Sequence, residues 1–387
     1  MKILIYCTQP GHNTARLMEE IKKAANRNPK QIIEGEVVSV FDLYSYVSEV
    51  KAHDRVYKRS PGKSEKMIVK DYSAVIPRLA GAGFDFGMVN LRHINRNLNI
   101  FSTASDTGLK ICSNKFLTIQ TLSEHGLRVP RHVLAHCPTD YKELIDLVGG
   151  LPCVAKLQRG SQGAGVFILE TILAASTALN ALEQTKTDVV LTRFIDTGAP
   201  ANDLRIITIG AETNDPKVFA YKRFSVDGDF RSNYSLSGKG VKVKITDEER
   251  EMALSASRLL GGGVFGCDIM RDSKDNDKPY LIEVNGSPSF AGIEAVTGEN
   301  IAKAVIDYVL ENYKRGGHRK QTDNEGATAA ARPVQPLMTK QSLQTHRPVV
   351  ATVTSDENFP WRKEVESINR GAEFAAEFKK LFGNLKL

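Results

Sequence analysis

The chain has 387 residues, 41% hydrophobic and 25% charged, with a formal net charge of +7. That length predicts two or three domains of ordinary globular composition, and no apolar run is long enough to span a bilayer. The mild basic excess suits nucleoside triphosphates or acidic partners, but no zinc-finger, homeodomain or RNP-type pattern accompanies it, so direct nucleic-acid binding is not expected.

Strand and helix signals alternate from the start. Lys2–Tyr6 reads as a strand rather than a signal peptide, which gives a cytoplasmic expectation. Thr14–Asn26 follows as an amphipathic helix, Glu36–Phe41 and Tyr72–Pro77 as strands, and Phe86–Leu98 as a helix. This order predicts a small open α/β domain with a parallel sheet. Its first turn, Thr8-Gln-Pro-Gly-His12, lacks the glycine spacing of a dinucleotide fold. A helix over Asn114–Glu124 leads to a strand at Val133–Ala135 and a helix over residues 140–149. Strands at Leu151–Leu157 and Gly165–Glu170 flank a glycine-rich turn. Helix Ala174–Gln184, strand Val189–Phe194 and several strands between Leu204 and Asp268 follow, with helices over Asp247–Leu260 and Asn300–Tyr313. Residues 315–350 lose apolar periodicity and read as a disordered linker. Trp361–Phe382 regains helical spacing, interrupted by Gly371.

Cys7, Cys112, Cys137, Cys153 and Cys267 form no C-x-x-C pair and read as small core residues. His132 and His136 lie four apart on a strand, where that spacing makes no compact chelate. The chemistry concentrates instead in Tyr280-Leu-Ile-Glu-Val-Asn-Gly-Ser-Pro288, a strand running into a turn. Alternation puts Glu283 and Asn285 on one face, a hard-oxygen edge suited to Mg2+ or Mn2+. Asp268, on another apolar run, can join them if the two strands pair. Lys156 ends a strand before Gly160-Ser-Gln-Gly-Ala-Gly165. There Gly160, Ser161 and Gly163 would bring backbone N–H groups to phosphate oxygens, with the Lys156 ammonium beside them. Lys115 at a helix start is a second phosphate candidate, and Arg231 and Asn233 lie in Asp229-Phe-Arg-Ser-Asn233, where Arg231 could neutralise a transferring phosphoryl group. Asp203 and Arg205 share a strand face and suit either a ribose contact with an inner ion pair or a structural salt bridge.

Taken together, these residues resemble the ATP-grasp carboxylate–amine ligases, in particular the RimK-type α-L-glutamate ligases. The pieces that carry the resemblance are Ala74-Val-Ile-Pro-Arg78, Asp146-Leu-Val-Gly-Gly150, Val154-Ala-Lys156 with the glycine turn, Gly228-Asp-Phe-Arg-Ser-Asn233, and Glu283-Val-Asn-Gly-Ser-Pro288 with Gly292-Ile-Glu294. It runs from Met1 to about Tyr313. It implies an α/β fold with α+β lobes: an N-terminal open α/β pre-ATP-grasp domain (1–112), a central ATP-grasp lobe (113–190) and a C-terminal lobe (191–314). A linker (315–352) and an amphipathic segment (353–387) would follow. The same resemblance implies ATP held by Lys115, Lys156, Arg193, Phe194, Asp203, Arg231, Ser232 and Asn233, with Lys156 and Arg231 catalytic. Asp268, Glu283 and Asn285 would hold two divalent ions.

The activity so implied is amide formation through an acyl phosphate, adding L-glutamate to the C-terminus of a protein such as a small-subunit ribosomal protein, by an enzyme expected to be a homo-oligomer. The competing readings are a ligase for a small peptide or metabolite, and a nucleotide-binding regulator without turnover. Two departures from the family stand out. The segment that cups adenine, usually Gln-Glu-aromatic-Ile, is Thr192-Arg-Phe-Ile195, and the Arg193 side chain has no acceptor for the adenine amino group. The basic stretch after Asn233 is Tyr234-Ser-Leu-Ser-Gly238, which leaves the amino-acid specificity open.

Overall fold

The computed structural model describes residues 1–49, 55–59, 67–136, 141–157, 165–225 and 239–316. The glycine turn with Gly160, Ser161 and Gly163, the loop with Arg231, Ser232 and Asn233, Cys137, the linker and the Trp361–Phe382 segment lie outside these residues.

The N-terminal part runs β1 (Lys2–Cys7), α1 (His12–Arg27), β2 (Glu34–Ser39), β3 (Leu43–Tyr46), β4 (Arg55–Lys58), β5 (Met67–Ile68), β6 (Ala74–Arg78), α2 (Phe84–Arg96) and β7 (Phe101–Ser102). β1, β2, β6 and β7 form a parallel sheet in the order β2-β1-β6-β7. Both faces of β1 are covered, so Ile3, Leu4, Ile5, Tyr6 and Cys7 are all buried, the pattern expected of a central parallel strand. Leu17, Ile21 and Ala24 put the apolar stripe of α1 against one face. The small antiparallel sheet β3-β4-β5 was not anticipated from sequence; its strands are two to four residues long and carry little period-2 signal.

Two short helices, α3 (Asp106–Cys112) and α4 (Lys115–Glu124), lead into the central part. Ser105 and Asn114 cap them, accepting from Gly108 N and Leu117 N at 2.9 Å each. β8 (His132–His136), α5 (Tyr141–Val148), β9 (Cys153–Leu157), β10 (Val166–Leu169), α6 (Ile172–Gln184) and β11 (Asp188–Arg193) form an antiparallel sheet in the order β10-β9-β11-β8 with two helices on it. Its core, built on Ile145, Cys153, Ala155, Leu179, Val189 and Leu191, is separate from the rest of the protein's core.

The last part comprises β12 (Asn202–Ile209), β13 (Lys217–Phe224), β14 (Gly240–Lys242), α7 (Asp247–Leu259), β15 (Val264–Asp272), β16 (Lys278–Asn285), α8 (Ala291–Thr297) and α9 (Ile301–Asn312). The strands form one antiparallel sheet, β14-β13-β12-β15-β16. α7 packs under it through Met252, Ala253 and Ala256. Ile301, Val305, Ile306 and Val309 of α9 join a core shared with β1, α1 and β12, so the chain returns to its beginning. Mixed helices and sheets with a parallel N-terminal sheet are the α/β class expected. No described helix is long and apolar enough to cross a membrane.

Candidate active site

The site builds up from the cross-strand register of the last sheet. Arg223 on β13 lies opposite Asp203 on β12, Arg205 opposite Asp268 on β15, and Asp268 opposite Glu283 on β16. Directly opposed residues share a face, so one charged row crosses four strands. A bulge sits between Asp268 and Ile269, where Ile269 pairs with Leu281 and Asp268 with Glu283. This extra residue keeps Leu281 and Val284 both in the core although they are three apart. It turns Glu283 to the opposite face beside Asp268, and Asn285 pairs with Gly266 on the same face.

Within this row the inner charges satisfy one another. Arg223 donates to both oxygens of the buried Asp203 and lies 3.0 Å from Asp268 Oδ2; Arg205 also grips Asp268 through Nε and, at 2.9 Å, through Nη2. Burial works to raise the Asp268 pKa, and the Arg205 and Arg223 guanidiniums outweigh it and hold the carboxyl below its ordinary value. Asp203 and Arg205 therefore do not pair with each other. Residues two apart on a strand are roughly 6.6 Å apart, farther than directly opposed neighbours. Asp203, expected at the nucleotide, is engaged by an arginine that local sequence did not single out.

The outer end of the row is open. Glu283 is exposed, and neither its carboxylate nor the Asn285 amide has a hydrogen-bond partner among the described residues. Lys156, at the end of β9 and half-buried, has Glu283, Lys115 and Asp268 as its electrostatic neighbours. Burial pushes its pKa down, Glu283 opposes that, and Lys115 adds to it. Lys115 is the first residue of α4, where a helix favours an anion, so a cation there meets an unfavourable dipole. His132 is also near: burial and then Lys156 lower it to about 4, while the Pro130 carbonyl, 2.6 Å from Nδ1, acts against them. It is a neutral neighbour of Lys156 rather than a chelating residue.

Arg193, expected at the adenine, is engaged elsewhere. Its Nη2 donates to Asp272 at 2.5 Å, its Nη1 to the Tyr280 hydroxyl at 3.1 Å, and the guanidinium lies 5.3 Å from the Tyr280 ring centroid. Asp272 is buried, so this pair ties the end of β11 to the β15–β16 turn. Ser273 N donates to Asp196 O at 2.8 Å, and Lys274 pairs with Asp196 at 3.0 Å, in the same connection. Phe194 is half-buried just beyond Arg193. Cys7, Cys153 and Cys267 are buried, Cys112 is half-buried, and all four are free thiols. Among the described residues no group of three or more His, Cys, Asp or Glu is placed to hold a metal.

A RimK-like ATP-grasp domain matches residues 112–309. The chain belongs to the RimK-like ATP-grasp family. Relatives include two proteins named probable alpha-L-glutamate ligase. That of Legionella pneumophila is 31% identical over 315 residues, covering 81% of this chain and 97% of its own; that of Pseudomonas aeruginosa is 32% identical over 327 residues, covering 84% and 100%. Among solved structures, the macrocyclase MdnC bound with its precursor peptide MdnA, from Microcystis aeruginosa, superposes with a TM-score of 0.60 at 14% identity, over 80% of this chain and 100% of that one. The ATP-grasp ligase PsnB, complexed with a minimal precursor, Mg and ADP, gives 0.58 at 17% identity, over 81% and 98%. The fold is therefore ATP-grasp, and the RimK-like chain is an ATP-dependent C–N ligase.

Proposed function

We propose that this RimK-like ligase adds L-glutamate to the terminal carboxylate of a protein or peptide, with a small-subunit ribosomal protein as the first acceptor to test. The acceptor carboxylate attacks the γ-phosphorus of ATP, ADP leaves, and an acyl phosphate forms. The glutamate amine then attacks the acyl carbon, loses a proton and displaces inorganic phosphate, leaving an amide. The observation that carries the reading is Lys156, half-buried on β9, which has both Lys115 of α4 and the open carboxylate of Glu283 on β16 as electrostatic neighbours. The names of the relatives support glutamate as the amine, and MdnC bound with its precursor peptide and PsnB complexed with its minimal precursor support a peptide acceptor.

Lys156 and Lys115 hold the phosphates in this reading, and Arg231 balances charge on the transferring group. Gly160, Ser161, Gly163, Phe194, Ser232 and Asn233 remain assigned to the nucleotide. Glu283 and Asn285 are fitting ligands for Mg2+ or Mn2+, since both are hard oxygen donors without protein partners among the described residues. Asp268 fits less freely: three N–H donors occupy its oxygens, leaving about one of roughly four acceptor positions. When bound at Glu283 and Asn285, such ions would supply positive charge to neutralise the nucleotide phosphates. The protein's own part is to orient the reactants and exclude water. Intact-mass analysis of cell-extract proteins incubated with enzyme, ATP and glutamate tests the proposal. Increments of one glutamyl unit on a defined protein are expected; phosphate release with no mass increment on any macromolecule would favour a small acceptor.

A further inference from the structure

Arg78 ends β6 beside Cys7, the last residue of β1, at the carboxyl edge of the parallel sheet where open α/β sheets bind ligands. Its Nη2 donates to the carbonyl oxygens of Ser287 at 3.2 Å and Pro288 at 2.7 Å, and the guanidinium lies 4.9 Å from the Phe290 ring centroid. All of these partners are neutral, and no described carboxylate pairs with it. Other arginines held in place differ. Arg16 meets Glu294, Arg193 meets Asp272, Arg205 meets Asp268, Arg223 meets Asp203 and Arg271 meets Glu249. Burial lowers Arg78 to about 10, with the Cys7 thiol the one neighbour opposing it. A half-buried cation without a counter-charge among the described residues is costly, and a bound anion would remove that cost.

Its position is as informative as its charge. Ser287 and Pro288 continue directly from Asn285, so the loop that Arg78 holds is the extension of the strand bearing Glu283 and Asn285. Three residues of chain span at most about 11 Å. Leu79 N donates to Ser287 Oγ at 3.2 Å, and Phe290 N to Asn13 Oδ1 at 2.9 Å, which fixes the loop on both sides of the guanidinium. The N–H groups at Nε and Nη1 have no acceptor among the described residues.

We propose that Arg78 binds a non-reacting carboxylate of a substrate, either of the incoming amino acid or of the acceptor, and so sets its distance from the reacting carboxylate. This deepens the ligase reading and rests on it for the identity of the carboxylate. The test is direct titration of glutamate, and separately of a glutamate-terminated peptide, into the full chain with Mg2+ and a non-hydrolysable ATP analogue. Wild type is compared with Arg78→Gln, which keeps a donor for the carbonyls, and Arg78→Lys, which keeps the charge. We expect Arg78→Gln to weaken one of the two substrates at least tenfold, Arg78→Lys to weaken it less, and the analogue to bind all three proteins equally. The substrate affected names the source of the carboxylate. Equal affinity of wild type and Arg78→Gln for both substrates overturns the proposal, as does an equal loss for the ATP analogue, which would mean Arg78 only braces the loop. If wild type binds neither substrate, the glutamate reading fails. Arg78 is then tested with other amino acids and short dicarboxylates: one bound by wild type and lost in Arg78→Gln supports it, and none bound overturns it.

Discussion

Glu283 and Arg223 stand on the same charged row, yet their substitution should read out differently. Glu283 is exposed and has no hydrogen-bond partner among the described residues, so Glu283→Gln should leave thermal stability within about 0.5 kcal/mol of wild type. Ligation should fall at least ~100-fold, more than in Lys156→Ala, without rescue by saturating Mg2+; retained turnover at high Mg2+ would remove Glu283 from the metal site. Arg223 is buried between two carboxylates, so Arg223→Met should instead cost about 3–5 kcal/mol in denaturant unfolding. Arg193 follows the same logic. Its sequence position suggested a loss of base discrimination, but its guanidinium is tied to the buried Asp272. Arg193→Gln should therefore destabilise the protein by about 3 kcal/mol and leave the ratio of kcat/KM for ATP and GTP unchanged. A changed ratio at unchanged stability would return Arg193 to the base.

Among the elements, α7 shows how a local signal and a long-range contact combine. Thr246 accepts from Glu249 N at 3.2 Å while Glu249 Oε2 accepts from Thr246 N at 2.8 Å, a capping box legible as Thr-x-x-Glu before an apolar pattern. The same carboxylate also receives Arg271 of β15 through Nε at 2.5 Å and Nη2 at 2.8 Å, a contact across 22 residues that no local pattern gives. Burial works to raise Glu249, and Arg271 and Thr246 outweigh it, so its pKa in the folded protein lies below the ordinary 4.5. Its contribution is thus complete above that value and is lost as pH falls through the lowered one, where the unfolded chain binds the extra proton. Glu249→Gln should cost ~3 kcal/mol at pH 7 and flatten the stability profile below about pH 4.5. Urea midpoints for both proteins between pH 3 and 7 check the sign; parallel profiles would refute it.

In the whole molecule, the central sheet keeps a core of its own, whereas β1, α1, β12 and α9 share one. Polar ties to the last sheet include Arg193–Asp272 and Arg128, which donates to Glu248 at 2.7 Å and whose carbonyl accepts from Leu281 N at 2.9 Å. A separately cored lobe held by such contacts can open as a unit, so ATP with Mg2+ should slow amide exchange in β9 and β11 more than in β1. Residues 315–387 carry 12 basic and 8 acidic side chains, and the family match ends at residue 309. Deleting residues 317–387 should leave the melting temperature of the remaining protein unchanged and raise KM for a protein acceptor but not for ATP. Unchanged acceptor kinetics at low and physiological salt would exclude a recruiting role.

Local alternation and amphipathic spacing by themselves determined β1, α1, β6, α2, β9, β11 and α9 to within a few residues, because each writes its buried face into its own sequence. They also placed Glu283 and Asn285 on one strand face. Short strands such as β7 and β3–β5 escaped notice because two to four residues carry too little period to read. Only the tertiary structure decided the partners of the charges. Asp203 meets Arg223, Arg205 meets Asp268, Arg193 meets Asp272, and Arg78 meets no carboxylate among the described residues. Those outcomes follow from strand order, register and one bulge, which bring together residues distant along the chain, and electrostatic energy depends on that separation in space.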